Sequence, residues 1–324
     1  MTPILEVKNL KTHFHILEGV VKAVDGVSFS VEPDEVLGLV GESGSGKTMT
    51  CRSILRVVPS PGEIVEGEVF YRGEDVLGWP ESRLTKFRGS EISMILQEPM
   101  TALNPVLSIG DQIVETIVQH NDVSRSEARR QSIEALRSVG IPSPERRLKE
   151  YPHQFSGGMR QRAMIAIALA CQPQILLADE PTTALDVTIE DQIIRLIRDL
   201  QEEMGMSVIW VTHDLGVVAQ LCDRVAVMYA GLIMELADVI ELFENSRHPY
   251  THGLMESIPT GVSRQNRLVP IPGQPPDLLN LPPGCPFEPR CRYAVEQCRT
   301  ADVPLRPVGP GHQSACIRFE EIWQ

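Results

Sequence analysis

Gly41-Glu42-Ser43-Gly44-Ser45-Gly46-Lys47-Thr48 follows directly on Val36-Leu37-Gly38-Leu39-Val40, an apolar run that reads as a buried strand. The octapeptide fits G-x-x-x-x-G-K-[ST], and a strand before it with a helix after it is the context that motif requires. Its glycines let backbone N–H groups curl around phosphate oxygens, and the N-terminus of the helix that opens there favours an anion. Lys47 is expected to reach the β- and γ-phosphates, and the Thr48 hydroxyl to ligate Mg²⁺. A Gly/Ser turn ahead of a helix is the plainer reading, but such a turn does not need Lys-Thr in register. The stretch predicts an α/β fold built on a P-loop core.

Outward from this loop, strand-like and helix-like segments alternate, as in a layered α/β sheet. Glu91–Leu96, Ile175–Ala178 and Val208–Thr212 read as further apolar strands, and Val225–Tyr229 with Leu232–Leu236 as a final hairpin around Ala230-Gly231. Between Leu107 and Gly140 the pattern turns helical. Ser124-Arg125-Ser126-Glu127 is a capping box, Ala128, Ala135, Leu136 and Val139 follow at roughly helical spacing, and Gly140 and Pro142 stop the run. A helical insert over residues 105–156 is therefore expected inside a nucleotide-binding domain of residues 1–250.

The 324 residues carry 42% apolar and 23% charged side chains, ordinary for a chain with a packed core. With 30 basic against 43 acidic residues the net charge is −13, which argues against coating nucleic acid by bulk electrostatics. The first residues show no basic stretch followed by an apolar run, so no secretory signal is expected. The longest apolar run, Ala163–Cys171, falls far short of the about 20 residues of a membrane span. A soluble, cytosolic chain that can sit on a membrane protein is the expectation. Thirteen of the 25 prolines lie at or after Pro249, so residues 251–324 read as a loop-rich extension. Four of the seven cysteines, Cys285, Cys291, Cys298 and Cys316, fall inside that extension. In a reducing compartment such a cluster points to a metal before a disulfide.

Ile175-Leu176-Leu177-Ala178-Asp179-Glu180 is an apolar strand ending in two acids. Asp179 suits Mg²⁺ coordination through water, and Glu180 is placed to polarise an attacking water. Upstream, in Phe155-Ser156-Gly157-Gly158-Met159-Arg160-Gln161-Arg162, Ser156 reads as a helix N-cap, and Gly157 and Gly158 let backbone amides approach a phosphate. This segment resembles the Leu-Ser-Gly-Gly-Gln signature of the ATP-binding cassette (ABC) family, with which it shares Ser-Gly-Gly. Other elements of that family follow in order. Gln97 resembles the Q-loop glutamine that senses Mg²⁺ and touches the membrane partner. Ala184-Leu185-Asp186 resembles the D-loop, and His213 the switch histidine that contacts the γ-phosphate and the catalytic carboxylate. Phe14 sits where the family stacks an aromatic on adenine, with His15 and Ile16 as neighbours that could take the same place. His248-Pro249-Tyr250-Thr251, the Pro-rich tail and Glu180-Pro181-Thr182-Thr183-Ala184-Leu185-Asp186-Val187-Thr188 are similar to the ATPase subunits of dipeptide and oligopeptide permeases. Nickel and glutathione importers share the architecture.

The resemblance implies an ATP- and Mg²⁺-dependent ATPase at the cytoplasmic face of the membrane. Its partners would be a second, homologous ATPase chain, two transmembrane permease subunits and an external solute-binding protein, with no nucleic acid. Ser156, Gly157 and Gly158 would cover ATP held by the other ATPase chain, which pairs head to tail. A soluble non-transport ABC protein and a module that holds ATP without turnover are the rival classes. The first usually carries tandem cassettes or long insertions, and Glu180 with His213 speaks against the second. The cysteines, spaced C-x5-C-x6-C-x17-C, match in number the ligands of a 4Fe–4S cluster or a structural zinc. Zinc sites usually contain a C-x2–4-C pair, and none is present. The longer spacings, with the resemblance, favour 4Fe–4S over zinc or four unligated thiols.

Overall fold

The computed structural model describes residues 2–183, 185–257 and 270–323; Ala184 of the expected D-loop lies outside the described residues. In chain order the strands are β1 (Leu5–Ile16), β2 (Gly19–Val31), β3 (Val36–Val40), β4 (Gly62–Tyr71), β5 (Glu74–Asp75), β6 (Ile92–Ile95), β7 (Ile175–Asp179), β8 (Ser207–Thr212), β9 (Arg224–Tyr229), β10 (Leu232–Asp238), β11 (Arg306–Gly309) and β12 (His312–Ser314). The chain divides into two units, one of Met1–Glu32, Val36–Leu77 and Thr212–Gln324, the other of Pro33–Glu35 and Gly78–Val211. Among the described residues no helix is long and apolar enough to cross a membrane.

In the first unit β1 lies between β2 and β4, with β5 beyond β4, all antiparallel. Leu5, Val7 and Leu10 of β1 are buried. Register shifts between Val7 and Leu10 and again beyond Thr12 break the two-residue period. A second set of strands starts from β3, all five residues of which are buried. It pairs in parallel with β9, Leu37 opposite Arg224 through Val40 opposite Val227. Parallel strands are usually covered on both faces, which is why β3 reads as a continuous apolar run. Strands β9 and β10 form the expected hairpin. Its turn residues Ala230 and Gly231 both have positive φ, 49° and 81°, as a type I′ turn demands.

The Pro-rich tail adds to this sheet instead of forming a core of its own. Strand β12 pairs with β10 and β11 with β12. The joint is closed by His312, whose Nε2 lies 2.7 Å from Glu235 Oε1, with both side chains almost wholly buried. Another histidine anchors the start of the tail. His248 Nδ1 accepts a hydrogen bond from the Tyr250 N–H (3.1 Å) and so caps the helix Pro249–Glu256.

These two histidines respond to pH in opposite senses. Burial pushes the His248 pKa down from 6.5 to about 3. A group with a depressed histidine pKa stabilises the fold fully above the unfolded value and loses that contribution as pH falls toward the folded one. For His312, burial pulls down but the hydrogen bond and charge of Glu235 raise the pKa overall. Its contribution is full below the ordinary value and is lost as pH rises through the raised one. Stability is therefore expected to fall below pH 6.5, with His248 contributing up to about 1.4 kcal/mol per pH unit. Urea midpoints between pH 7 and 4 measure this. His248→Asn keeps a capping acceptor and should flatten the acid slope; an unaltered slope would exclude His248 as its source.

In the second unit β7 pairs in parallel with β6 and with β8, in a register that sets Ile175 opposite Ile92 and Ser207. Between β6 and β7 run the helices Ile109–His120, Arg125–Ser138 and Gly157–Leu169. Ser124 Oγ accepts from the Glu127 N–H at 3.2 Å, the cap its sequence predicts. After β7 the helix Val187–Met204 buries Ile193, Ile194, Ile197 and Leu200 at three- and four-residue spacing and ends on Gly205 at φ 59°.

Candidate active site

On the first unit the loop 41–48 leaves β3 and enters the helix Lys47–Ile54. Gly41, Gly44 and Gly46 have φ of 153°, 79° and 105°. At Gly46 a side chain is excluded twice, because a Cβ would also run into the Ala23 carbonyl. The hairpin turn braces the loop, the Gly231 N–H donating to Ser45 O at 3.0 Å. Lys47 is 5% exposed, and its ammonium lies back over the loop, donating to Gly41 O (2.7 Å) and Glu42 O (2.9 Å) and reaching Ser45 Oγ (3.4 Å). Thr48 is half-buried in the first turn of the helix. A cation, glycine-lined amides and a helix N-terminus on one loop make a polyphosphate cradle.

Two other expected residues belong to the same unit. Phe14 of β1 is half-buried opposite Gly62 of β4. A Cβ at Gly62 would come within 2.6 Å of the Phe14 ring, so the glycine makes room for it. His15 and Ile16 are exposed. His213, also exposed, follows β8. Behind it Asp214 donates its N–H to Thr212 Oγ1 (3.0 Å) and caps the helix Leu215–Leu221 through the Gly216 N–H (2.7 Å).

The second unit carries the carboxylates. Asp179 ends β7 at 2% exposure. Glu180 follows with φ 44°, a left-handed conformation unusual for a residue with a side chain. Its N–H still reaches Val211 O at 3.0 Å. Gln97 Nε2 donates to Glu180 Oε2 at 2.9 Å, and Thr183 Oγ1 donates to the same oxygen at 2.8 Å. Gln97 and Glu180, 83 positions apart, are thus brought into direct contact. In the sequence Thr183 stands only within the run Glu180–Thr188; a hydroxyl three residues after the acid, across a turn, is the signal it offers. Two donors on one carboxylate oxygen fix its direction.

In the signature segment Ser156 Oγ accepts from the Met159 N–H at 3.3 Å and caps the helix Gly157–Leu169. Ser156 and Gly157 are exposed. A Cβ at Gly157 would meet nothing within 4 Å, whereas one at Gly158 would lie 3.2 Å from Ile189 Cγ2. Packing among the described residues thus gives no reason for glycine at 157. Asp186 is exposed at the N-terminus of Val187–Met204 and makes no side-chain cap bond.

The four tail cysteines line one pocket, and none is in a disulfide. Among the described residues, however, no group of three or more His, Cys, Asp or Glu side chains is arranged to hold a metal ion. The ligand set that the spacing suggested is therefore not formed as these thiols are packed. Burial pushes Cys285 up to about 12 and Cys316 up to about 11, and raises Cys291.

Architecture and site chemistry define an ABC-type ATPase cassette. The ABC transporter profile matches residues 24–183, and the profile of the oligopeptide/dipeptide transporter C-terminal region matches residues 234–298. Among solved structures, a dimeric ATP-binding cassette in a post-hydrolysis state bound to ADP and Pi is 29% identical with a TM-score of 0.65, covering 72% of this chain and 98% of that one. A cassette from Clostridium perfringens, part of the cbiONQ transporter complex, is 26% identical with a TM-score of 0.64, covering 76% and 93%. A probable peptide ABC transporter ATP-binding protein of Sinorhizobium fredii is 51% identical over 98% of this chain and 96% of its own length. The oligopeptide transport ATP-binding protein AppD of Bacillus subtilis is 48% identical over 99% and 98%. The chain belongs to the ATP-binding subunits of the ABC-type oligopeptide/dipeptide transporter family.

Proposed function

We propose that this chain is the ATP-hydrolysing subunit of an importer of di- and oligopeptides. The observation that carries the reading is the Glu180 carboxylate held by Gln97 and Thr183 at the end of an apolar strand. In this reading Lys47 and the amides of the loop 41–48 take the phosphates. Thr48, Asp179 and Gln97 would hold Mg²⁺, which when bound neutralises phosphate charge. Glu180 accepts the proton of the attacking water, and His213 contacts the γ-phosphate. Ser156, Gly157 and Gly158 cover the nucleotide of a second, homologous ATPase chain, and Asp186 lies in the same interface; the vacant space around Gly157 supports this assignment. Phe14 stacks on adenine. Two transmembrane permease subunits and an external solute-binding protein complete the machine, with this chain peripheral on the cytoplasmic face. Residues 1–250 are the cassette, with the helical insert at 105–156, and 251–324 the extension typical of peptide permeases. Nickel or glutathione is the alternative cargo. Extraction in detergent tests the reading: this chain should come down with a second ATPase and two multi-span subunits, and cognate peptide with its binding protein should stimulate ATP hydrolysis. Isolation without membrane partners would overturn it.

The finer reading of the tail is that Cys285, Cys291, Cys298 and Cys316 rearrange around a 4Fe–4S cluster, with zinc as the alternative. Four thiols lining one pocket support it, and the cluster would staple a segment poor in apolar surface. Anaerobically purified full chain should absorb near 400 nm and hold about four irons. One zinc per chain would select the alternative, and metal-free protein would end both.

A further inference from the structure

The loop 41–48 is gripped from the far end of the chain. Arg290, 248 positions away, is buried and forms a two-pronged ion pair with Glu42, Nη1 to Oε2 at 2.6 Å and Nη2 to Oε1 at 3.0 Å. The extension and the sheet hold it further, with Nε donating to Pro272 O (2.8 Å) and Nη1 also to Tyr229 Oη (3.2 Å). The backbone of Glu42 is held too, its N–H donating to Tyr250 Oη at 2.9 Å. Tyr229, Tyr250 and Phe287 pack ring against ring beneath these contacts, with centroids 4.6 to 5.4 Å apart. All of these residues lie in the first unit.

We propose that Arg290 is a positioning residue for nucleotide binding: it neutralises and anchors Glu42, so that the tail completes the phosphate loop. The proposal deepens the reading of 41–48 as an ATP site and rests on it. Two physical requirements lead there. A loop with glycines at positive φ on either side of Glu42 is costly to order, and an external clamp removes that freedom in advance. The loop must also accept a highly charged anion, yet it carries a carboxylate. A glutamate with no partner there would repel the phosphates, whereas a bidentate guanidinium cancels the charge and fixes the side chain away from the cradle. Elsewhere in the same tail the exposed Arg299 pairs with Glu288 at 3.0 Å, with no contact to the loop among those of the described residues.

The test is ATP affinity by calorimetry on the full chain, with far-UV circular dichroism to confirm folding. Arg290→Met should weaken ATP binding about tenfold, as expected for a charged hydrogen-bonded group left without its partner. In a Glu42→Gln background the same replacement should change affinity less than about threefold, because the charge it leaves exposed is gone. Tyr250→Phe, which removes one hydroxyl from a packed ring, should fold and weaken binding a few-fold even if Arg290→Met does not fold. Arg299→Ala should leave affinity unchanged. Equal effects of Arg290→Met in both backgrounds, or no effect of either Arg290→Met or Tyr250→Phe, would overturn the proposal. Lys47→Ala separates the two levels: if it abolishes affinity while Arg290→Met does nothing, the ATP site stands and the clamp falls. If the native chain itself binds no ATP in this titration, the ATP reading falls.

Discussion

Glu180→Gln is expected to bind ATP as the native chain does and to lose turnover by about 10²–10⁴-fold, the usual contribution of a positioned general base. The replacement is nearly isosteric. An amide oxygen can still accept from Gln97 Nε2 and Thr183 Oγ1, the two donors that now converge on Glu180 Oε2. The left-handed backbone at this position is equally open to glutamine. What disappears is the capacity to take a proton from water. Glu180→Ala would confuse the result, because it also strands both donors and frees the turn.

The variant should therefore accumulate with ATP uncleaved and its dimer closed. Moving a two-state equilibrium from mostly open to mostly closed requires ATP to favour the closed form by about 10⁴-fold, and hydrolysis is what discharges that preference. The measurement is phosphate release from the assembled transporter, with this glutamate replaced in both ATPase chains of the dimer. Native rates in that doubly altered complex would remove Glu180 from the chemistry.

What could be read from sequence divides by the range of the interaction. The loop 41–48 is legible because strand, glycines, lysine and helix are contiguous and each has one local reason to be there. Strands β3, β7 and β8 are legible because both faces are buried and the apolar run is unbroken. The edges are less so: Glu91 and Leu96 fall outside β6, and Leu96 is already exposed where the chain turns toward Gln97. The long strands β1, β2 and β4 give no clean alternation, since their pairing shifts register where a two-residue period would be counted. The contact of Gln97 with Glu180 is not legible, because nothing in either neighbourhood encodes a contact across 83 positions. Arg290 carried no signal at all. It sits among prolines and cysteines, and only the folded tail delivers it to Glu42.

Lys47→Ala should lower ATP affinity by about 10–150-fold, corresponding to the loss of a hydrogen bond to a charged group worth about 1.5–3 kcal/mol. The lysine acts twice. Its ammonium bonds Gly41 O and Glu42 O and so ties the entry of the loop to the first turn of the helix. The same charge, on a side chain 5% exposed, is what the phosphates would meet, and water screens it little. Removing it takes one donor from each of two carbonyls, of which Glu42 O keeps the Ser45 N–H, and leaves a helix N-terminus as the chief remaining attraction for the anion. Lys47→Met separates these roles in part, keeping the apolar stem while deleting the charge. Both variants should lose most of the stabilisation against heat that added ATP confers, since a ligand stabilises in proportion to the logarithm of its occupancy. If Lys47→Met keeps native affinity by calorimetry, the ammonium serves only to close the loop, and the phosphates are held by backbone amides alone.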